Sequence, residues 1–284
     1  MAKIGIQIMV LKDEVDTLGA YEVFRRLKEI GCNCVEMSQV TMNEENVAEI
    51  KRACKDFDME ICAISATVQD ESSIYAESIV AGYDKIVADA RELGVDYIRL
   101  GSMPGGYEGS YGEIAKFAHK AEAYADRLEK DGFKLYFHNH HREFTKYDNM
   151  YVMDIIKKEA PKLGFEIDIF WVQRGGENPL EFIKGYKNRL DLLHIKDYKI
   201  ADPSTEVVDE EYRKALPELF ADVVRFAEIG EGNLPIKDII DVAVNELGTK
   251  YLIIEQDRTY SKDKFECYKL SIENLKKMGY GHML

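Results

Sequence analysis

No apolar run in this chain approaches the roughly 18 residues that a membrane-spanning helix needs, so the composition argues against a helical membrane protein. Positive charge is also short. The 38 Lys and Arg residues stand against 52 Asp and Glu, a net charge of -14, whereas binding to a nucleic-acid backbone rests on cations that neutralise phosphates. The five cysteines are odd in number and scattered, and Cys32 and Cys34 are too close together for a zinc knuckle or a redox pair. They read as free, buried thiols. The first residues, MAKIG, run into an apolar segment without a secretory leader pattern, so a cytoplasmic location is expected. No Gly-x-Gly-x-x-Gly follows the first apolar segment, which leaves a dinucleotide site unsupported.

What the chain does contain is a regular alternation. Apolar, strand-like runs occur at residues 3–11, 32–38, 59–67, 96–103, 135–137, 164–171, 190–198 and 251–257. Between them lie helical patterns at 16–30, 43–54, 74–93, 111–128, 150–158, 179–186, 236–247 and 264–278. Eight strands alternating with eight helices imply parallel strands with helical crossovers. At 284 residues the closed (β/α)8 barrel, typically about 250 residues long, is the expected α/β fold. No linker divides the chain, so residues 1–284 read as one TIM-barrel domain. The charged segment 199–226 breaks the rhythm and reads as an inserted loop with a short helix.

In such a barrel, functional groups collect at the carboxyl ends of the strands. Those ends offer Glu36, Arg99, Ser102, His138, His140, Glu143, Asp168, His194, Lys196, Asp197, Glu255 and Asp257. Asp168, His194 and Glu255 each sit in or close an apolar run on three successive strands. Uncompensated charge there would be very unfavourable, and one divalent cation with oxygen and imidazole ligands satisfies all three. Strand alternation places His194 with Lys196, and Glu255 with Asp257, on common faces. Trp171, the only tryptophan, stands near the mouth as a candidate wall for a sugar face.

Several motifs in order resemble the sugar phosphate isomerase/epimerase group of the xylose-isomerase-like barrels. They are IDIFWVQRGGENP at 167–179, Arg189 followed by HIKD at 194–197, GEGN at 230–233 and IEQD at 254–257. The run FHNH at 137–140, followed by Glu143 and Phe144, matches the aromatic-His-Asn-His-x-x-Glu-Phe pattern of one branch. The resemblance covers most of residues 3–279. It implies a single metal ion held by Asp168, His194, Glu255 and a fourth ligand, for which Glu143 is the first choice and His138 or His140 the replacement. Manganese is the expected ion, with magnesium, cobalt or zinc as alternatives.

The resemblance further implies an isomerase or epimerase that abstracts a proton beside the carbonyl of a sugar, keto-sugar or sugar derivative, through an enediolate. Glu255, His140 and Glu143 are the candidate acid/base groups, and His138, Trp171, Arg174, Lys196 and Glu36 the candidate substrate contacts. The alternatives are a metal-dependent lyase or dehydratase, for instance one acting on a 3-keto-glycoside, and a non-catalytic accessory barrel. The partner expected is a small-molecule sugar, with neither nucleic acid nor membrane; assembly as a homo-oligomer or hetero-oligomer is left open. The endonuclease relatives, with histidine-rich three-metal clusters, do not fit this chain's few strand-end histidines or its charge.

Overall fold

A computed structural model describes residues 2–73, 76–200, 223–260 and 262–284. Eight parallel strands form a closed barrel: β1 (Lys3–Gln7), β2 (Cys34–Met37), β3 (Glu60–Thr67), β4 (Tyr97–Leu100), β5 (Lys134–His138), β6 (Gly164–Asp168), β7 (Leu192–Ile195) and β8 (Tyr251–Ile254). Each pairs with the next, and β8 returns to β1 with Lys3 opposite Tyr251 and Ile6 opposite Ile254. Closure leaves none of these eight strands as an edge strand.

Because side chains alternate along a strand, each strand serves two cores. The outward faces, including Ile4, Ile6, Val35, Ile98, Phe137 and Ile167, join the helices in one large apolar layer. Inside the barrel a smaller apolar cluster of Cys34, Cys62, Ala63, Tyr97, Tyr136, Leu192 and Ile253 forms a floor. Gly164 belongs to this fit, since a Cβ there would overlap the Tyr136 ring. Below the floor, Asp191 accepts from the Tyr97 hydroxyl at 3.0 Å, Lys134 Nζ at 3.1 Å and Lys250 Nζ at 3.2 Å.

The outer helices begin where their capping residues sit. Asn43 accepts from the Asn46 N–H ahead of the helix Glu44–Phe57, and Ser110 from the Glu113 N–H ahead of Tyr111–Lys130. Some expectations are corrected. The helix expected at 16–30 is two, Lys12–Leu18 and Ala20–Glu29, divided at Gly19, whose φ of +83° no helix interior adopts. The pattern at 74–93 is helical only over Tyr83–Leu93, because Glu77–Ser78 pairs with the end of β3. The pattern at 236–247 is an α-helix over Ile236–Val242 that continues as a π-helical turn over Ala243–Leu247. The segment at 164–171 stops being a strand at Asp168, whose carboxylate accepts from the Trp171 N–H at 3.0 Å and so caps a helix over Ile169–Arg174. The short helix expected within 199–226 lies outside the described residues. What flanks it is an antiparallel pair, Asp197–Ile200 with Val224–Ala227.

Burial pushes the Asp191 carboxyl up, but hydrogen bonds from Tyr136 and Lys134 outweigh it and hold the group below the usual Asp range. Its contribution is therefore present above the unfolded pKa of about 3.9 and lost as pH falls through the lower folded value. Asp191→Asn is expected to lower stability at neutral pH by roughly 1–3 kcal/mol and to flatten the loss below about pH 4. Denaturant titrations across pH check both.

Candidate metal centre and active site

The barrel interior above the apolar floor is charged. Arg99, from β4, donates through Nε to Glu166 of β6 and lies 3.3 Å from Glu36 of β2. Its Nη1 reaches the Ser65 and Ser38 hydroxyls at 3.0 and 3.3 Å. His194, from β7, stands over this group. Its Nε2 is 3.1 Å from Glu36 Oε2 and 3.2 Å from Glu166 Oε1, and its Nδ1 is 3.0 Å from Glu255 Oε2.

A second storey follows at the carboxyl ends. Gln7 Nε2 donates to Glu255 Oε1 at 2.7 Å. Lys196 Nζ lies 2.6 Å from Asp257, 3.1 Å from Glu255 and 3.7 Å from Asp168. Asn139 ties β5 to β6: its Oδ1 accepts from the Asp168 N–H at 2.9 Å, and its Nδ2 donates to the Asp168 carbonyl at 3.4 Å.

His138, Asp168, His194 and Glu255 each present a ligand atom, all within 4.8 Å of one another, and all four are buried. The donor set suits a divalent cation, and two observations support the fit. Asp168 Oδ2 is buried with no hydrogen-bond partner, an arrangement that needs an explanation in a folded protein. Five carboxyl groups (Glu36, Glu166, Asp168, Glu255 and the half-buried Asp257) also face only two permanent cations among the described residues, Arg99 and Lys196.

The titration of the group reflects this surplus. Burial pushes the Asp168 carboxyl well above its ordinary value. Burial would lower His194, but Glu166, Glu36 and Glu255 hold it well above the usual histidine range. At Glu255 the opposite holds: burial would raise it, and Lys196 and His194 keep it well below the carboxylate range.

Beside this group opens a cavity of about 660 Å³. Its charged or titratable wall includes Glu255, Asp257, His138, His140, His141, Arg99 and Arg142, and its neutral polar wall includes Ser65, Thr67, Gln39 and Gln69. Burial pushes His140 down to about 3, so the imidazole is neutral near pH 7, and its Nδ1 has no hydrogen-bond partner.

The structure brings together Asp168, His194 and Glu255 as the sequence predicts, with His138, expected as a substrate contact or replacement ligand, as the fourth member. Glu143 is not brought to the group. One of its oxygens accepts from the His140 N–H at 2.8 Å and the other from Arg142 Nε at 3.0 Å, in a capping box at the start of the turn His141–Phe144. Glu36 is fully buried beneath the cavity, against Arg99 and His194, and is not part of the cavity wall. Lys196 is committed to three carboxylates and lies over the Phe170, Trp171 and Phe226 rings. Trp171 is half-buried and packs on His140 and His141 at centroid distances of 5.4 and 5.0 Å. Arg174 is exposed, away from the cavity wall.

Sequence reasoning passed over Glu166 and gave Arg99 no role. A signal existed, because Glu166 is two residues before Asp168 and so shares its inward face. Asp197 also finds its place: it accepts from the N–H groups of Tyr198, Gly230, Gly232 and Leu234, which fixes the GEGN segment.

Residues 24–278 match the xylose isomerase-like TIM barrel family. The chain belongs to that family. Its fold is similar to that of a sugar phosphate isomerase/epimerase from Parabacteroides distasonis, with a TM-score of 0.70 and 20% identity over 97% of this chain and 94% of the other. It is also similar to 3-keto-D-glucoside 4-epimerase from E. coli, with a TM-score of 0.67 and 16% identity over 98% and 100% of the two chains. A xylose isomerase-like TIM barrel protein from Mycobacterium smegmatis, solved in complex with magnesium, gives a TM-score of 0.63 and 15% identity over 100% and 98%. At these identities the likeness is one of fold. No curated protein matches the sequence.

Saturating Mn2+ is expected to raise the melting temperature of the unsubstituted protein, Asp168→Ala and His194→Ala to abolish that rise, and Glu143→Gln to retain it. At a hundredfold excess over Kd, that stabilisation is about 2.7 kcal/mol. Thermal melts with and without chelator, together with metal content, read the result.

Proposed function

We propose that the protein is a divalent-metal-dependent isomerase or epimerase that acts on a sugar, keto-sugar or sugar derivative by moving a proton beside a carbonyl. The observation that carries this reading is the convergence of His138, Asp168, His194 and Glu255 beside a cavity of about 660 Å³ whose wall includes His138 and Glu255. Family membership supports it, as does the epimerase chemistry of similarly folded proteins. In this reading His138, Asp168, His194 and Glu255 hold the cation, with manganese the expected ion and magnesium, cobalt or zinc the alternatives. A divalent ion held there acidifies the C–H next to a bound carbonyl and stabilises the charge that develops on its oxygen.

The residues divide the remaining work. Glu255 reaches the cavity with its carboxylate fixed between Gln7, His194 and Lys196, so it is ionised and oriented to accept a proton. His140 faces the same cavity as a neutral imidazole and is the second group able to take up and return one. The serine, threonine and glutamine side chains of the opposite wall offer partners for sugar hydroxyls. Asp257 keeps Lys196 in place at 2.6 Å, which in turn holds Glu255 below its ordinary pKa.

The test is solvent exchange. Protein loaded with Mn2+ or Mg2+ is incubated in deuterated water with keto-sugars, including 3-keto-glycosides, and mass spectrometry follows deuterium and product. Deuterium incorporation into an epimer or isomer, dependent on metal and lost in Asp168→Ala, is expected. An eliminated or cleaved product in place of an epimer would replace this reading with a lyase. No exchange in any substrate by metal-loaded protein would reject proton abstraction. Glu255→Gln is expected to lower kcat by about 10²–10⁴-fold in the same assay.

A further inference from the structure

Glu36 and Glu166 do no work in the mechanism above, yet they are fully buried inside the barrel. Neither is part of the cavity wall. Together with His194 they form a second group of side chains able to hold a cation. That position already has one: the Arg99 guanidinium donates to Glu166 and lies 3.3 Å from Glu36. Arg99 is itself fixed by the Ser65 and Ser38 hydroxyls. The two carboxylates are thus held in place by a permanent charge.

What they face are the rear nitrogens of two histidines. His194 Nε2 is 3.1 Å from Glu36 Oε2 and 3.2 Å from Glu166 Oε1. His138 Nδ1 faces Glu166 Oε2 at 3.6 Å, beyond direct hydrogen-bond distance, and has no hydrogen-bond partner. The forward nitrogen of His194, Nδ1, points to Glu255. A carboxylate accepting from one ring nitrogen leaves the other as the lone-pair donor and sets the plane of the ring.

We propose that Glu36 and Glu166, clamped by Arg99, are positioning residues that hold His194 as its Nε2–H tautomer and His138 as its Nδ1–H tautomer, so that Nδ1 of His194 and Nε2 of His138 are the atoms offered to the cation. The inference rests on the metal-binding reading of the site given above. Glu166 is the pivot, because it is the one carboxylate that stands behind both rings. Arg99 serves as the counter-charge that keeps the lower group closed to a second ion, so the site takes one divalent cation per chain.

The tautomers can be read in the unsubstituted protein. The full chain, labelled with 15N-histidine and loaded with Zn2+ as a diamagnetic probe, is examined by long-range 1H–15N NMR, with His194→Asn and His138→Asn used only for assignment. A protonated Nε2 on His194 and a protonated Nδ1 on His138 are expected; the opposite tautomer in either ring overturns the proposal. In a second measurement, Mn2+ titrations on Glu166→Gln and Glu36→Gln are expected to show affinity weakened about 10–100-fold with one ion bound per chain. Unchanged affinity in both variants also overturns it. The NMR measurement stands whether or not the substituted chains fold. Failure of the unsubstituted protein to bind either ion would reject the metal-binding reading itself, whereas binding with the wrong tautomers rejects only the positioning role.

Discussion

The interior of this barrel is governed by buried negative charge that its own cations do not balance. Moving a carboxylate out of water is unfavourable by several kcal/mol even after relaxation. Here Glu36, Glu166, Asp168 and Glu255 are all buried together. Arg99 and Lys196 neutralise part of that charge, one in each storey. The remainder shows itself in the raised pKa of Asp168 and in a His194 whose pKa its three carboxylate neighbours hold above the usual histidine range. A group that gathers protons in this way is one in which a divalent cation can take the protons' place.

The fold makes such a concentration tolerable. A closed parallel barrel satisfies its backbone groups within the sheet, so the interior has to supply partners only for side chains. Tyr97, Tyr136, Leu192 and Ile253 seal the interior from below, and the Asp191 ion pairs close the floor from the other side. Water and counter-ions therefore reach the charged storey from the cavity side. That asymmetry places the chemistry at the carboxyl ends of the strands.

Much of this was legible in the sequence, and the parts that were not have identifiable causes. Period-two alternation put His194 with Lys196 and Glu255 with Asp257 on shared faces, and that held. The barrel itself followed from eight strand–helix alternations. Glu143 was misplaced because a polar residue after a strand end can either point into the barrel or cap the next turn. Only the backbone conformation at His140 decides, and it makes Glu143 part of a capping box. Glu36 and Lys196 were expected to meet substrate. Both meet other charges first, a pairing across strands that one-dimensional spacing does not display. The helical pattern at 16–30 concealed a break at Gly19, since periodicity continues through a residue whose φ does not.

The FHNHHREF run at the end of β5 now reads residue by residue as a single device. Phe137 points outward and packs between Phe117 and Phe165 in the main core, which fixes the depth of the strand. One residue on, alternation turns His138 inward, beside Asp168 and His194. Asn139 then bonds both the N–H and the carbonyl of Asp168, so the separation of these two side chains is set by backbone and not by rotamer choice. His140 and Glu143 close the turn on each other, and Phe144 packs where a Cβ on Gly175 would overlap its ring. Chain contiguity therefore carries the geometry. Shifting Asn139 by one residue would release Asp168 and swing His138 into the outer core together. A motif of this density is the local expression of a constraint that spans two strands.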